Sequence, residues 1–161
     1  MKKILSLILV AACLFMLVGC SNEPDTDKVR VYTFYGENEY VEVTNGTIVL
    51  DGKDETFSGG ILDVKKPKAF DDAYYWSAEF YVAKDGEKKT VYISVVEDLS
   101  DSAKVSISGD LGKISGGNVV TTLADENNDD FVNNLFMLLT LRNDKGEETY
   151  YEIHMNVEQV C

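Results

Sequence analysis

The sequence predicts an all-β domain, a two-layer antiparallel β-sandwich, set behind an apolar N-terminal helix and a short tether. Three observations predict it. From Val29 onward apolar residues recur at every second position rather than at helical spacing. The alternating runs are rich in Val, Ile, Tyr and Thr, which suit a pleated, half-buried surface. Gly, Asn and Asp separate the runs where hairpin turns would fall. Roughly nine to eleven strands in one domain suggest an immunoglobulin-like architecture, with an irregular barrel as the alternative.

The elements follow in chain order. Lys2 and Lys3 form a positive start, and residues 4–18 are apolar apart from Ser6. Fifteen helical residues rise about 22 Å, short of the roughly 30 Å hydrocarbon core. A cleavable export signal over residues 1–19 fits better than a permanent span. Of the 161 residues, removal of 19 leaves 142, enough for one domain with a sizeable core. It also removes two positive charges from a net of −13, leaving −15. Such a charge disfavours nucleic acid and adhesion to anionic lipid, which both need Lys/Arg clusters.

The signal ends in Leu17-Val18-Gly19-Cys20. This tetrapeptide resembles the lipobox of bacterial lipoprotein precursors: aliphatic at the third position before the cysteine, small just before it, then the thiol. The resemblance covers the first twenty residues. It implies cleavage between Gly19 and Cys20, a thioether diacylglycerol on Cys20, and acylation of the new amine by a palmitate-type chain. At about 0.8 kcal/mol per buried methylene, two or three chains anchor stably. The mature chain resembles the small lipoproteins of Gram-positive bacteria, so the extracytoplasmic face of the cell membrane is the expected location. That likeness implies no activity.

With Cys13 removed and Cys20 lipidated, only the terminal Cys161 remains, so no intramolecular disulfide is available. Residues 20–28 hold Pro24 and no side chain suited to a core, and read as the anchor and its tether. Eight residues reach about 28 Å at most. The β-domain spans 29–161.

Three hairpins are expected from register. The first covers 40–51 and turns at Asn45-Gly46, pairing Val43 with Ile48 and Val41 with Leu50. The second covers 74–96 and turns at Asp85-Gly86. It sets Phe80, Ala78 and Trp76 against Val91, Ile93 and Val95 on a core face, and Tyr81, Glu79 and Ser77 against Thr90, Tyr92 and Ser94 outside. The third covers 135–157 with a three-residue loop Asp144-Lys145-Gly146. It pairs Leu139 with Tyr151, Met137 with Ile153, Leu135 with Met155 and Arg142 with Glu148. Residues 131–139 also fit a helical stripe; a strand after a short helical turn is preferred. Shorter strands are expected at 29–34, 57–64, 104–108 and 119–123. Gly59-Gly60 marks a bulge or a close backbone approach, and 109–118 reads as a loop or a glycine-weakened hairpin.

Few motifs carry chemistry. Asp125, Asn127 and Asp129 match the first three ligand positions of an EF-hand loop. The sixth position is Asp130 instead of Gly and the twelfth is Phe136 instead of Glu. No metal site is expected, and a looser Ca²⁺ site is the alternative. The glycines around Gly109 and Gly112 lack P-loop spacing. His154 is the one histidine, too few for zinc, and no Gly-x-Ser-x-Gly nucleophile elbow occurs. No catalytic set and no cofactor are implied.

The expected outer faces are rich in aromatic residues: Tyr40, Tyr75, Tyr81, Tyr92, Phe136 and Tyr150, with Val49 and Leu138. Of these, Tyr75, Tyr81 and Tyr92 form the candidate partner patch, because tyrosine gives amphipathic contact area at low entropy cost. The expected role is a non-catalytic binding module for a protein or cell-envelope polymer. A small-solute or Ca²⁺-binding lipoprotein and an envelope hydrolase remain alternatives.

The anchor is directly testable. Cys20→Ser should yield an uncleaved precursor that incorporates no labelled fatty acid. Normal cleavage after Gly19 in that variant would remove the lipoprotein assignment.

Overall fold

The computed structural model describes residues 29–51, 55–97, 106–116 and 130–161. The signal, Cys20, the tether and the Asp125, Asn127 and Asp129 stretch lie outside them, as does the strand expected at 119–123. Among the described residues, no helix is long and apolar enough to cross a membrane.

Eleven strands occur among the described residues: β1 (Arg30–Glu37), β2 (Val41–Leu50), β3 (Thr56–Ser58), β4 (Ile61–Val64), β5 (Ala73–Lys84), β6 (Glu87–Glu97), β7 (Gly109–Asp110), β8 (Lys113–Ser115), β9 (Leu135–Asn143), β10 (Glu148–His154) and β11 (Asn156–Gln159). A helical turn, α1 (Asp130–Asn134), precedes β9, and a 3-10 turn covers Pro67–Phe70. The strands form two antiparallel sheets. One has seven strands, in the order β11-β1-β2-β3-β8, with β4 and β7 continuing beside β2. The other has four, ordered β10-β9-β5-β6. They pack face to face as an all-β sandwich, as the alternation predicts.

The first expected hairpin is absent. Asn45-Gly46 lies inside the continuous strand β2, which pairs with β1 on one side and with β3 and β4 on the other. Asn45 has a φ of 58°, and the β1 register slips between Phe34 and Gly36. That is a β-bulge, with one extra residue on β2. A bulge and a two-residue turn shift the side-chain parity identically. Val41 and Val43 are therefore buried before it, and Ile48 and Leu50 after it, just as a hairpin would have required.

Space explains why the chain runs straight through. The Phe34 ring lies over Gly46, where a Cβ would come within 2.1 Å of it. Opposite the bulge, Gly60 takes a φ of 79°, and a Cβ there would meet the Thr44 carbonyl oxygen at 2.2 Å. The expected close approach at Gly59-Gly60 is thus present, and it divides β3 from β4. The next strand breaks at the same level. Leu111 N–H donates to the Gly60 carbonyl, and Gly59 N–H donates to that of Gly112. β7 and β8 are therefore two pieces of one edge strand rather than a loop or hairpin. Ser106–Ser108, expected to end a strand, is irregular, although Ile107 is buried.

The second hairpin turns as expected, with positive φ at both Asp85 and Gly86. Its register slips once, between Phe80 and Tyr81, leaving Val91 as an extra residue. Phe80 then faces Tyr92, and Glu79 faces Ile93. Trp76, Ala78, Phe80 and Val91 are buried as predicted. Ile93 and Val95, expected in the core, point to solvent. The third hairpin has the expected register throughout and the expected left-handed glycine, Gly146. Residues 131–139 resolve into α1 followed by β9. Both hairpins belong to the same sheet, joined through β5 and β9. At Met155 the chain leaves that sheet, and β11 pairs with β1.

The two sheets meet on an aromatic cluster. Phe34 and Phe57 from one sheet lie 5.7 Å and 5.0 Å from Phe80 of the other, and Phe57 lies 5.7 Å from Tyr92. Gly46→Ala should cost about 1–3 kcal/mol in urea unfolding, as overpacked cores do. Adding Phe34→Leu should recover part of that loss, because the clash is with that ring.

Candidate functional site

The outer face of the four-stranded sheet is the candidate site. Register sets its side chains in four rows across β10, β9, β5 and β6. They are His154-Phe136-Tyr81-Thr90, Glu152-Leu138-Glu79-Ile93, Tyr150-Thr140-Ser77-Val95 and Glu148-Arg142-Tyr75-Glu97. Small hydroxyl residues, Ser77 and Thr140, lower its centre. Tyr150, Ile93 and Val95 stand at its margins, 58%, 51% and 54% exposed. Ile93 and Val95 lie together on β6, at the margin opposite Tyr150, and apolar residues grouped at a surface mark interaction sites.

The candidate partner patch divides. Tyr75 is on this face, half-buried beneath Arg142, whose guanidinium carbon is 4.4 Å from the ring centre. Arg142 also reaches Glu97 at 3.8 Å. Tyr81 is on the face but only 6% exposed. It stacks on Phe136 at 5.6 Å, lies under Lys88 at 4.1 Å, and donates to Glu152 at 2.5 Å. Tyr92 is on the opposite face. The bulge at Val91 turns it inward, where its hydroxyl donates to the Leu111 carbonyl at 2.9 Å. Tyr81 and Tyr92 therefore form no common surface. Alternation alone could not show this. The adjacent apolar pairs Val91-Tyr92 and Val95-Val96, which break strict alternation, were the available sign of a bulge.

Charges tie the upper rows together. Glu79 accepts hydrogen bonds from Lys88 at 2.6 Å and from Thr90 at 2.5 Å. Partial burial disfavours its charge, yet these two hydrogen bonds and the Lys88 charge outweigh burial and hold its pKa below the ordinary value. Burial, reinforced by the hydrogen bond to Glu152, keeps the Tyr81 phenol protonated well above its usual range. His154 packs 4.8 Å from Phe136, as register predicts, with Nε2 2.8 Å from the Asn133 carbonyl oxygen.

A second concavity lies at one end of the sandwich. Val64, Pro67, Phe70, Asp71 and Ser106–Ser108 line a cleft of about 240 Å³. That is below the roughly 300–1,000 Å³ usual for a small-molecule site. Among the described residues, no group of three or more His, Cys, Asp or Glu side chains could hold a metal ion. No protein-family model matches the chain, and neither curated proteins nor solved structures give a match.

The Glu79 contacts imply a pH signature. A carboxylate with a lowered folded pKa stabilises above the unfolded value of about 4.3, and that contribution fades as pH falls through the folded value. Lys88→Met should therefore cost under about 1 kcal/mol at pH 7, given its exposure. The difference from wild type in urea midpoints should shrink as pH falls below about 4.3.

Proposed function

We propose that this chain is a lipid-anchored extracytoplasmic binding module that uses the outer face of its four-stranded sheet and catalyses no reaction. Residues 1–19 are removed, Cys20 carries the lipid, and the tether holds the sandwich at the extracytoplasmic side of the membrane. The anchor is supported by the Lys2-Lys3 start, the apolar run and Leu17-Val18-Gly19-Cys20. The binding role rests on one observation: a broad lattice of aromatic, aliphatic and hydroxyl side chains that no described element covers.

The chemistry of the lattice suggests what it would hold. Tyr150 offers an exposed ring and Tyr75 a half-buried one beneath Arg142, Ser77 and Thr140 offer hydroxyls, and Glu79, Glu97, Glu148 and Glu152 supply acceptors. A hydroxyl-bearing polymer or a basic protein segment suits that set. An acidic partner does not, because the chain would repel it at a net charge near −15.

The test is retention of the mature lipoprotein on isolated cell-envelope polymer and on surface-protein extracts. Tyr75→Ser with Tyr150→Ser should reduce retention at least tenfold, with the urea midpoint changed little. Unchanged retention in the double variant would exclude this face as the binding surface.

A further inference from the structure

The two sheets present four edges, and three are poor templates for another strand. β11 has four residues, and the opposite edge of its sheet is broken into β7 and β8, of two and three residues. β10 carries Glu148 and Glu152, so two copies of it would repel. β6 is different. It has eleven residues and ends the four-stranded sheet, and no described strand pairs with its far side. From Thr90 to Val96 it contains no charge, proline or glycine. Ile93, Val95 and Val96 are its exposed apolar residues. Of the devices that blunt natural edges, this stretch has one, the bulge at Val91, and beyond it Tyr92 to Val96 runs regular and uncharged.

We propose that β6 is a self-association edge, where a second copy of this chain pairs antiparallel with it to make one continuous eight-stranded sheet. Charge selects both the occupant and the direction. β6 begins with Glu87, Lys88 and Lys89, a net positive start, and ends with Glu97. Antiparallel pairing sets the basic start of each strand beside the acidic end of the other, whereas parallel pairing sets like beside like. A two-fold axis near Ile93 brings the Ile93 and Val95 side chains of both copies together on the outer face. It also brings Glu97 of each copy toward Lys88 of the other. Each strand gains main-chain hydrogen bonds along an edge that no described strand occupies, the basis of strand addition. The contact is self-complementary and closes as a dimer. It continues the outer-face lattice across the axis, but it does not depend on what that lattice binds.

The test uses the full chain in membranes of expressing cells, with Cys161→Ser as parent. Ile93→Cys in that parent, treated with a short bismaleimide, should convert most of the chain to a species of twice the mass. Peptide mass spectrometry should locate the link at position 93 of both copies. Tyr150→Cys, equally exposed on the opposite edge, should give less than one-fifth of that yield. Glu97→Lys should lower the position-93 yield at least fivefold, and adding Lys88→Glu with Lys89→Glu should restore it. Val95→Lys should abolish the link while resistance to added protease stays unchanged. No link at position 93, a link there to a different protein, an equal yield from Tyr150→Cys, or no response to charge reversal would each overturn the proposal.

Discussion

The Phe34 ring lying on the bare backbone of Gly46 is the contact on which much of the sandwich depends. A ring this close to a strand backbone needs a residue without a side chain beneath it. It also needs the strand opposite to yield. Both follow at one level of the seven-stranded sheet: the Asn45 bulge in β2, the Gly59-Gly60 break, and the Leu111-Gly112 break beyond it. Four aromatic rings, Phe34, Phe57, Phe80 and Tyr92, fill the space above those backbones. Phe57 and Phe80 are fully buried, so the cluster joins the sheets by area removed from water as well as by ring geometry.

Tyr92 links this core to the surface. A Cβ at Gly112 would lie 2.6 Å from the Tyr92 hydroxyl, so that glycine leaves room for the phenol to reach the Leu111 carbonyl. The ring therefore belongs inside. To deliver it there next to buried Val91, β6 must carry an extra residue, and the parity of everything after it reverses. Ile93 and Val95 are then directed outward. The apolar character of the outer face is thus a consequence of the core's demand for Tyr92, transmitted along one strand.

The same parity logic explains what was legible in the sequence. Alternation identified the strands and the sandwich because burial on one face leaves a period of two whatever the connections are. Asp144-Lys145-Gly146 was readable because it joins two long strands whose pairing agrees on both faces, whereas Asp85-Gly86 was readable as a turn and its expected pairing holds only up to Tyr81 and Thr90, before the Val91 bulge. Asn45-Gly46 was misread for a physical reason: an inserted residue and a two-residue turn reverse the buried set alike. What separates them is the company of Gly46, with Phe34 twelve residues earlier and the Gly59-Gly60 pair thirteen and fourteen residues later, which only the fold brings together. The face containing Tyr75 and Tyr81 was legible. The burial of Tyr81 was not, because it comes from Phe136, Lys88 and Glu152, contributed by two other strands and by the far side of its own hairpin.

Long-range charge and short-range pairing pull in opposite directions at β6. Two copies, each with a net charge of −13, repel at a distance, but at physiological salt the interaction is screened beyond about 8 Å. The edge itself is locally mixed in sign, with Glu87, Lys88 and Lys89 at one end and Glu97 at the other, so the repulsion weakens where strands would meet. A lipid anchor on Cys20 would shift the balance further. Confining two chains to one membrane surface raises their effective concentration without adding any contact. It also removes part of the translational entropy lost on association. An edge too weak to pair in dilute solution can then pair on the membrane. Such an anchor, the charge and the uncharged centre of β6 would together fit one physical scheme. High negative charge discourages aggregation at large, while the proposed β6 edge would admit one more copy.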